Sequence, residues 1–436
     1  MKTVAIGIIG YGTVGQGVCE VLERNAREIQ RRCGYRLEVR KVAKRNWAGI
    51  DTKSLPFATT TQAEDIVNDE AIDIVIELAG GYEPARTLIE TALKNGKHVI
   101  TANKALIATQ GEPLFALARE SNLELAYEAA VAGGIPIIKV LREGMSGNEV
   151  TAVAGIINGT GNFILTAMSE EGRDFADVLR EAQALGYAEA DPAFDINGTD
   201  AAHKITILAS IAFGIPLQFE RVYMEGIDRI TPQDIANAAE LGYVIKHLGL
   251  AIRRDQGVEI RVHPTLIPKT AVLASVNGVM NAVQVRGNAI GNSLYYGPGA
   301  GRLPTASAVV ADVIDVVREL DLDPEDRLAE FGFEQVHTAE SLPVLDWQDF
   351  ESAFYVQLNV DDSVGVLSKV TEIFARHGIS IESLVQKNAL KRKDIVPLIL
   401  LTAPLQERYI RRAVKELAEL DFVHGEIKLI HVESLA

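Results

Sequence analysis

The sequence predicts an α/β protein in three units: a doubly wound parallel sheet, an α+β unit and a C-terminal βαββαβ unit. Short apolar runs alternate with helical periods up to about residue 130, which is typical of a parallel sheet covered by helices on both faces. Strands at shorter spacing follow, up to about residue 300. The last segment repeats one cycle of strands and helices in the order of a ferredoxin-like unit.

The first unit covers residues 1–134, with a return helix at 302–320. Its predicted strands are residues 4–9, 37–43, 72–78, 98–101 and 123–127. The helices between them carry apolar residues at 3.6-residue spacing, and one of them starts at Pro84 and ends at Gly96. The apolar residues 305–320 are expected to pack back on this unit as a helix.

The second unit, residues 135–301, is predicted to contain an open mixed sheet. Its predicted strands are residues 150–157, 258–266, 271–276 and 282–287, and its predicted helices are residues 174–185, 199–213 and 231–250. Residues 321–349 are rich in Asp, Glu and Pro, and they are expected to form a linker with little core of its own.

The third unit, residues 350–436, is predicted to have the βαββαβ order. The strands are expected at 354–360, 379–386, 395–402 and 427–432, and the helices at 365–377 and 406–420. This order is that of the split-βαβ, ferredoxin-like fold.

Composition limits the classes of partner. The chain has 436 residues, of which 47% are hydrophobic, and its formal net charge is −16. So acidic a chain repels phosphate backbones and anionic lipid, so nucleic acid and membranes are not expected partners. Its two cysteines, Cys19 and Cys33, are too few for a disulfide framework or a zinc site. Together with the lack of an 18-residue apolar run, this favours a soluble, cytoplasmic protein.

A glycine motif follows the first predicted strand and opens a predicted helix. Gly10, Gly12 and Gly15 have the GxGxxG spacing of the Rossmann fold, and Thr13 and Val14 lie within it. The first glycine permits a tight turn, the second lets a pyrophosphate approach, and the third lets the helix pack closely. The motif predicts a dinucleotide cofactor; the alternative is a glycine-rich turn without a ligand.

Basic residues end the second predicted strand, where NAD-preferring sites usually have an acid. Lys44 and Arg45 could hold a 2′-phosphate by charge and by a bidentate guanidinium. NADP is therefore the predicted cofactor, with NAD as a second. The alternative is a solvated basic loop.

The richest stretch for chemistry is residues 186–204. Asp200 and Lys204 are four residues apart at the start of an apolar helix and share one face. A lysine in a cleft can deliver a proton when its pKa is tuned, and Glu189, Asp195 and Asp200 suit a cationic amino group on the substrate. The alternative is a salt bridge at the helix end beside an acidic loop.

Lys104 follows another predicted strand at the sheet edge where ligands bind, so it is expected to point at nicotinamide or substrate. The alternative is a surface lysine in a loop. No histidine is assigned to catalysis or to a metal, and His203 is expected to lie off the catalytic face.

These residues resemble the bacterial homoserine dehydrogenase family, in the form that carries a C-terminal ACT regulatory domain. The similarity covers essentially the whole chain. The stretch 186–204 is its most specific element, followed by Thr101-Ala-Asn-Lys104 and then by the glycine motif.

The resemblance implies reversible, NAD(P)-dependent interconversion of L-homoserine and L-aspartate 4-semialdehyde. It implies Lys204 as the proton donor, Asp200 as the group that orients substrate and Lys204, and Lys104 at the junction of nicotinamide and substrate. The remaining implied contacts are Glu189, Asp195, Gly159, Thr160 and Tyr187 for the substrate, and Gly186 and Gly301 for the cofactor.

The resemblance also implies a cation and an effector. A monovalent cation, usually sodium, would be bound by Glu128 and by the carbonyl groups of Val131, Gly133 and Ile135. An amino acid effector, typically threonine, would bind at the turn formed by Asp361, Asp362, Gly365, Val366 and Leu367. Val364 stands where the family pattern has proline. The family further implies a homodimer or homotetramer in which the second unit supports dimerisation.

Two alternatives stay open at the level of sequence. One is another NADP-dependent semialdehyde reductase, which would keep the first unit and change the substrate. The other is a nucleotide and amino-acid sensor without turnover, although the presence of Lys104, Asp200 and Lys204 argues against it.

Overall fold

The computed structural model describes residues 2–323, 326–334, 342–386 and 395–435. Its helices are α1 (Thr13–Arg24), α2 (Ala26–Cys33), α3 (Glu64–Val67), α4 (Ala85–Lys94), α5 (Lys104–Glu120), α6 (Ile137–Lys139), α7 (Gly159–Glu171), α8 (Phe175–Ala184), α9 (Ala193–Ile196), α10 (Thr199–Phe213), α11 (Pro232–Glu240), α12 (Arg302–Glu319), α13 (Val366–Arg376) and α14 (Glu407–Ala418). Its strands are β1 (Thr3–Ile9), β2 (Arg36–Ala43), β3 (Ala58–Thr60), β4 (Ile74–Glu77), β5 (His98–Thr101), β6 (Leu125–Ala126), β7 (Val150–Ile156), β8 (Tyr223–Met224), β9 (Tyr243–Arg254), β10 (Gly257–Pro268), β11 (Met280–Gly287), β12 (Gly291–Pro298), β13 (Glu351–Asp361), β14 (Ile381–Gln386), β15 (Ile395–Thr402), β16 (Leu405–Gln406) and β17 (Val423–Val432).

The first sheet is parallel throughout and has the order β3-β2-β1-β4-β5-β6. Alternate residues of its central strands pack on opposite faces. Ile74 and Ile76 lie in the core that contains residues of α1 and α12, whereas Val75 lies in the core that contains residues of α4 and α5. This is the predicted doubly wound, Rossmann-like sheet, and its order reverses between β1 and β4. A cofactor site is expected at that point, outside the carboxyl ends of the strands.

The return helix packs on the first unit as predicted. The α12 residues Val309 and Val313 are fully buried in the core that also holds Val18 of α1. At Gly17 the two helices come so close that a Cβ atom would lie 2.4 Å from the carbonyl oxygen of Arg302. The chain therefore enters the first unit twice, before and after the second unit.

Within the described residues the second sheet contains 11 strands, and it extends from the second unit into the third. Its order is β12-β11-β7-β9-β10-β17-β13-β15-β14, with β8 and β16 beside the main path. Strand β10 pairs in parallel with β17 at Thr265 and Leu266. The sequence did not predict this continuity, because a pairing between residues so far apart leaves no local pattern.

The third unit has the predicted βαββαβ order. Within the large sheet its strands follow the order β17-β13-β15-β14, which is that of a ferredoxin-like unit. Phe354, Val356 and Leu358 of β13 pack in the core that contains residues of α13 and α14. Tyr355, on the opposite face of the same strand, packs with residues of the second unit. The sheet of the third unit is therefore covered on both faces, by its own helices and by the second unit.

Two of the predicted elements are wrong. The predicted strand 271–276 is a short 3₁₀ helix at Val272–Ser275, because both edges of β9 are already paired and the apolar run packs on the face of the sheet instead. The predicted helix 231–250 ends at Glu240, and after Gly242 the chain continues as β9. Strands β3 and β12 and helix α7 were not predicted. Short apolar runs do not distinguish strand from helix by periodicity, which explains the first error.

The predicted linker is partly built into the body of the protein. Part of the segment 321–349 lies outside the described residues. Within the described part, Phe331 is buried and packs edge-on against Phe115, at 5.2 Å between ring centroids. Val344 pairs with Val258 at the start of β10. The segment adds to an existing core rather than forming its own.

Among the described residues, no helix is long and apolar enough to cross a membrane.

Candidate active site

The glycine loop after β1 has the geometry that its sequence predicts. Gly10 has a φ of +107°, and a Cβ atom there would lie 2.7 Å from the carbonyl oxygen of Leu78. At Gly15 a Cβ atom would lie 2.1 Å from the carbonyl oxygen of Gly10, so only glycine lets α1 pack against the loop. Gly12 has no atom within 4 Å of such a Cβ position. The space at Gly12 and the free N–H groups of Thr13 and Val14 at the start of α1 fit a pyrophosphate.

Of the two basic residues after β2, one is bonded to the glycine loop and the other is exposed. Lys44 donates a hydrogen bond to the carbonyl oxygen of Tyr11 inside the glycine loop, at 3.0 Å. Arg45 is exposed, and no ion pair holds it among the described residues. Lys44 therefore supports the loop, whereas the guanidinium of Arg45 is available to a ligand beside it.

The centre of the site is the carboxylate of Asp200, which binds two ammonium groups. Its Oδ2 atom accepts from the Nζ of Lys204 at 2.6 Å, and its Oδ1 lies 3.0 Å from the Nζ of Lys104. Lys204 is one turn away on α10, as the spacing predicted. Lys104 comes from the first residue of α5, so the site lies at the junction of the first and second units.

Burial and pairing give the two lysines different proton chemistry. Burial favours the neutral form of Lys204 and lowers its pKa, although Asp200 opposes the shift. The charge of Asp200 raises the pKa of Lys104 and keeps it protonated. Burial alone would raise the pKa of Asp200, but the ammonium groups of Lys204 and Lys104 outweigh it and hold that pKa well below its usual range. The site therefore has one fixed cation, one fixed anion and one lysine suited to proton transfer.

Lys204 has one donor left for a substrate. Its ammonium donates to Asp200 and, at 2.7 Å, to the carbonyl oxygen of Ile157 at the end of β7. A lysine ammonium has three N–H donors, and these two bonds are its only ones among the described residues. The third N–H can meet an oxygen atom of a bound substrate.

Asn158 is a site residue that sequence reasoning missed. Its side-chain oxygen caps α7 by accepting from the N–H of Gly161 at 2.6 Å. Its amide nitrogen donates to both Asp195 and Asp200, each at 2.9 Å. The available signal was an asparagine directly before a helix start, which is a preferred N-cap.

The other predicted substrate residues surround this centre unequally. Asp195 is linked to Asp200 by the amide of Asn158, which donates to both carboxylates. Burial raises the pKa of Asp195. Gly159 and Thr160 begin α7, and the Thr160 hydroxyl donates to the carbonyl oxygen of Tyr187 at 2.7 Å. Glu189 is exposed and makes no contact with the lysines, although its charge helps raise the pKa of Lys104. The Tyr187 ring is 44% exposed, so it lies at the rim of the site.

The predicted cofactor glycines outside the glycine motif lie on different units. Gly301, with a φ of +120°, directly precedes α12 beside α1. Gly186, with a φ of +76°, follows α8 in the second unit and is exposed. The structure shows no contact between Gly186 and the glycine loop, so its role in cofactor binding stays a prediction.

A second residue that sequence reasoning missed is Glu77, which orders the loop between β4 and α4. It is fully buried at the end of β4, and its Oε1 atom accepts from the N–H groups of Ala79 and Gly80. Its Oε2 accepts from the hydroxyl of Thr101 at 2.7 Å. Asn103 then donates to the carbonyl oxygen of Gly81, which ties this loop to the start of α5 and so to Lys104.

The predicted cation ligands form an all-oxygen set, which suits a hard cation. Glu128 already caps α6, since its carboxylate accepts from the N–H groups of Ile138 and Lys139 at 3.0 and 2.9 Å. A carboxylate keeps further lone pairs, so this capping is compatible with a cation. Ala132 and Gly133 have positive φ values and turn the chain between the carbonyl groups of Val131 and Ile135. No cluster of three or more acid, His or Cys side chains suited to a metal exists among the described residues.

The predicted effector turn lies between β13 and α13. Asp361 pairs with His424 at 2.6 Å, and Asp362 accepts from Gln386 at 3.4 Å. Asp361, Asp362, Val366 and Leu367 line a cavity of about 260 Å³, and Val364 at its rim is fully exposed. Gly365, with a φ of +94°, makes the turn into α13.

The comparisons with known proteins agree over the whole chain. Residues 10–128 match the NAD-binding domain of homoserine dehydrogenase, residues 136–314 match homoserine dehydrogenase, and residues 356–424 match an ACT domain like that of the AHAS small subunit. A homoserine dehydrogenase of Pseudomonas aeruginosa is 53% identical over 436 residues, with 100% of each chain covered.

Solved structures give the same result. The crystal structure of a homoserine dehydrogenase from Thiobacillus denitrificans has a TM-score of 0.95 and 50% identity, covering 100% of this chain and 99% of that one. A hyperthermophilic archaeal homoserine dehydrogenase in complex with NADPH has a TM-score of 0.63 and 29% identity, covering 73% of this chain and 99% of that one.

The buried acids near α6 predict a stability that depends on pH. Burial and the neighbouring Asp312 raise the pKa of Glu128 to about 7, and burial raises the pKa of Asp312 to about 6. Unfolded carboxyl groups titrate near pH 4, so between about pH 4 and 7 the folded state holds protons that the unfolded state has lost. Their contribution to stability is therefore present below about pH 4 and is lost as the pH rises to 7.

In sodium-free buffer, we expect the thermal unfolding midpoint of D312N to fall less between pH 5 and 8 than that of the parent protein. The exposed residue Asp255 supplies the control D255N, which should keep the parent slope. Scanning calorimetry across that pH range measures the difference, and equal slopes for D312N and the parent would contradict the assignment.

Proposed function

Because the chain belongs to the homoserine dehydrogenase family, we propose that it reduces L-aspartate 4-semialdehyde to L-homoserine reversibly, with NADPH as preferred cofactor and Lys204 as proton donor. Membership makes the protein an oxidoreductase that acts on a CH–OH group. The observation that carries the mechanism is Lys204, whose pKa burial lowers and which keeps one N–H free beside Asp200.

A bound nicotinamide supplies the hydride, and the chain supplies the proton and the charges. In the direction of reduction, the free N–H of Lys204 is placed to donate to the carbonyl oxygen as it becomes a hydroxyl. The lowered pKa of Lys204 makes this transfer easier than from an ordinary lysine. In the reverse direction neutral Lys204 accepts the same proton from homoserine.

Asp200 and Lys104 hold the reacting groups in place. Asp200 stays ionised between its two ammonium partners, so it fixes the direction of the Lys204 donors. Lys104 stays charged and stabilises negative charge that develops on the substrate oxygen. In line with the resemblance, Asp195 and the exposed Glu189 would bind the substrate's amino group.

NADP preference is supported by Arg45 rather than by Lys44. Lys44 is already bonded to the glycine loop, whereas Arg45 is exposed at the end of β2, where a 2′-phosphate would lie. The archaeal relative was solved in complex with NADPH, which agrees with this preference.

We further propose feedback regulation by threonine at the effector turn, a structural sodium ion at the Glu128 loop, and assembly as a homodimer or homotetramer. The cavity beside Asp362 supports the regulation by threonine.

The oxygen-only ligand set at the Glu128 loop supports the sodium ion, and a cation there would lower the pKa values of Glu128 and Asp312. If sodium binds, it should raise the unfolding midpoint at pH 8 more than choline does; equal midpoints would argue against the ion. Sedimentation equilibrium tests the assembly, and a monomer would contradict it.

We expect the variant K204A to lose turnover by a factor of about 10² to 10⁴, because it removes the proton donor. The assay is NADPH oxidation with L-aspartate 4-semialdehyde, together with equilibrium binding of NADPH. Lys97 supplies the matched control K97A, since it is also a buried lysine bonded to carbonyl groups but lies away from the site.

K97A should keep its kcat, and K204A should keep its affinity for NADPH. If K204A turns over like the parent, Lys204 is not the donor. If the parent itself fails to oxidise NADPH with this substrate but does so with another semialdehyde, the substrate assignment is wrong. Binding without turnover on any substrate would favour the sensor.

We expect R45A to raise the KM for NADPH by about tenfold or more while changing the KM for NADH less than about twofold, because a guanidinium bound to phosphate is worth roughly 1.5–3 kcal/mol. The control is G12A, whose Cβ enters the open space at the loop and should raise both KM values. Steady-state kinetics with each dinucleotide measure the difference. Equal effects of R45A on both cofactors would exclude contact with a 2′-phosphate.

We expect threonine to inhibit the full-length enzyme, and D362A to raise the half-inhibiting concentration by about fivefold or more. D421A is the control, because Asp421 is an exposed acid elsewhere in the same unit. Point variants are preferable to truncation, since β17 pairs with β10 and removing the unit would expose that edge. Inhibition curves that coincide for D362A and the parent would place the effector elsewhere.

A further inference from the structure

Three rings are packed in a row beside the site. His203 of α10 stacks on Phe219, with ring centroids 4.4 Å apart and an interplanar angle of 23°. Phe194 of α9 packs against His203 at 5.3 Å. The ammonium of Lys104 lies over the Phe194 ring, 6.0 Å from its centroid. The row therefore connects the interior of the second unit to one of the charged groups of the site.

His203 has the properties of a flat ring rather than those of an acid or base. It is 1% exposed, and neither ring nitrogen has a hydrogen-bond partner among the described residues. Burial lowers its pKa to about 4, so the ring is neutral at physiological pH. His203 lies three residues after Asp200 on α10. What it offers its neighbours is an aromatic surface.

Helix α9 depends on such contacts for its position. It has four residues, too few to be stable as an isolated helix. Phe194 packs on His203, Asp195 accepts from Asn158, and the carbonyl oxygen of Ile196 accepts from the N–H of Ile227 at 2.9 Å. The last two contacts hold the turn, and the first determines where the Phe194 ring lies.

We propose that His203 is a positioning residue for the reaction, which holds Phe194 over Lys104 and so keeps the Lys104 ammonium against Asp200. The proposal rests on the proposed function, since it takes Lys104 and Asp200 as groups of the reacting centre. Phe194 attracts the ammonium through the face of its ring and covers part of the Lys104 side chain, which is 33% exposed. Without the stack, Phe194 at 41% exposure has little else to hold it, and Lys104 becomes free to move.

The first experiment compares H203A with H203F, both in the full chain. We expect H203A to lower kcat by about tenfold, because a displaced charged group costs catalysis more than binding, and to change KM by less than about threefold. H203F keeps an aromatic surface without nitrogen atoms, and it should recover kcat to within about threefold of the parent. A purely structural role would lower the unfolding midpoint of H203A and leave the kcat of the folded enzyme unchanged.

A second variant, F194L, keeps the test decisive if H203A fails to fold, because Phe194 is partly exposed. F194L should lower kcat as H203A does. The kcat of the double variant should be no lower than that of the less active single variant, since both substitutions act through one contact. Additive losses would show that His203 and Phe194 act separately and would overturn the proposal.

The second experiment does not depend on turnover. Reductive methylation followed by mass spectrometry reports the accessibility of each lysine, and Lys104 should react about threefold faster or more in H203A and F194L than in the parent or H203F. Lys94, an exposed lysine of α4, is the internal control and should react equally in all. If parent kcat and Lys104 labelling persist in H203A, the proposal is wrong. If the parent does not turn over the proposed substrate, the proposed function fails, and the labelling alone decides the role of His203.

Discussion

The rest of the site depends on the ionised carboxylate of Asp200. It is 4% exposed and bridges the ammonium groups of Lys104 and Lys204, which come from different units of the protein. A buried charge of this kind is tolerated only where opposite charges and hydrogen bonds compensate it. Helix α5 of the first unit, helix α10 of the second and the start of α7 each supply one partner of Asp200. The buried charge therefore requires that these three elements keep their relative positions.

The large sheet places the third unit in direct contact with the catalytic framework. Strand β17 is hydrogen-bonded to β10, and Arg411 of α14 donates to the hydroxyl of Tyr223 in β8 and to the carboxylate of Glu225, directly after β8. Two residues later, the N–H of Ile227 holds the carbonyl oxygen of Ile196 in α9. The third unit is therefore linked to α9 through Glu225 and Ile227.

Much of the local structure follows from sequence, because helix periodicity and glycine spacing are local properties. Helix α10 has the predicted bounds, and its i,i+4 pair lies on one face as expected. Gly10 and Gly15 are required by contacts that their spacing already implied. The errors fall where two conformations suit the same residues. The run 271–276 is apolar enough for a strand, and the apolar residues of β9 continue the pattern of α11 beyond Gly242, where the helix has already ended.

The sequence by itself determined the glycine loop, the Asp200–Lys204 pair and the βαββαβ order of the third unit, because each follows from the spacing or periodicity of neighbouring residues. The tertiary structure alone decided that Lys104 completes the pair, that Asn158 joins Asp195 to Asp200, and that His203 faces Phe194. It also decided that β17 continues the sheet of the second unit. These contacts join segments far apart in the chain, and no spacing between residues records them; they form only when the units pack around a buried charge.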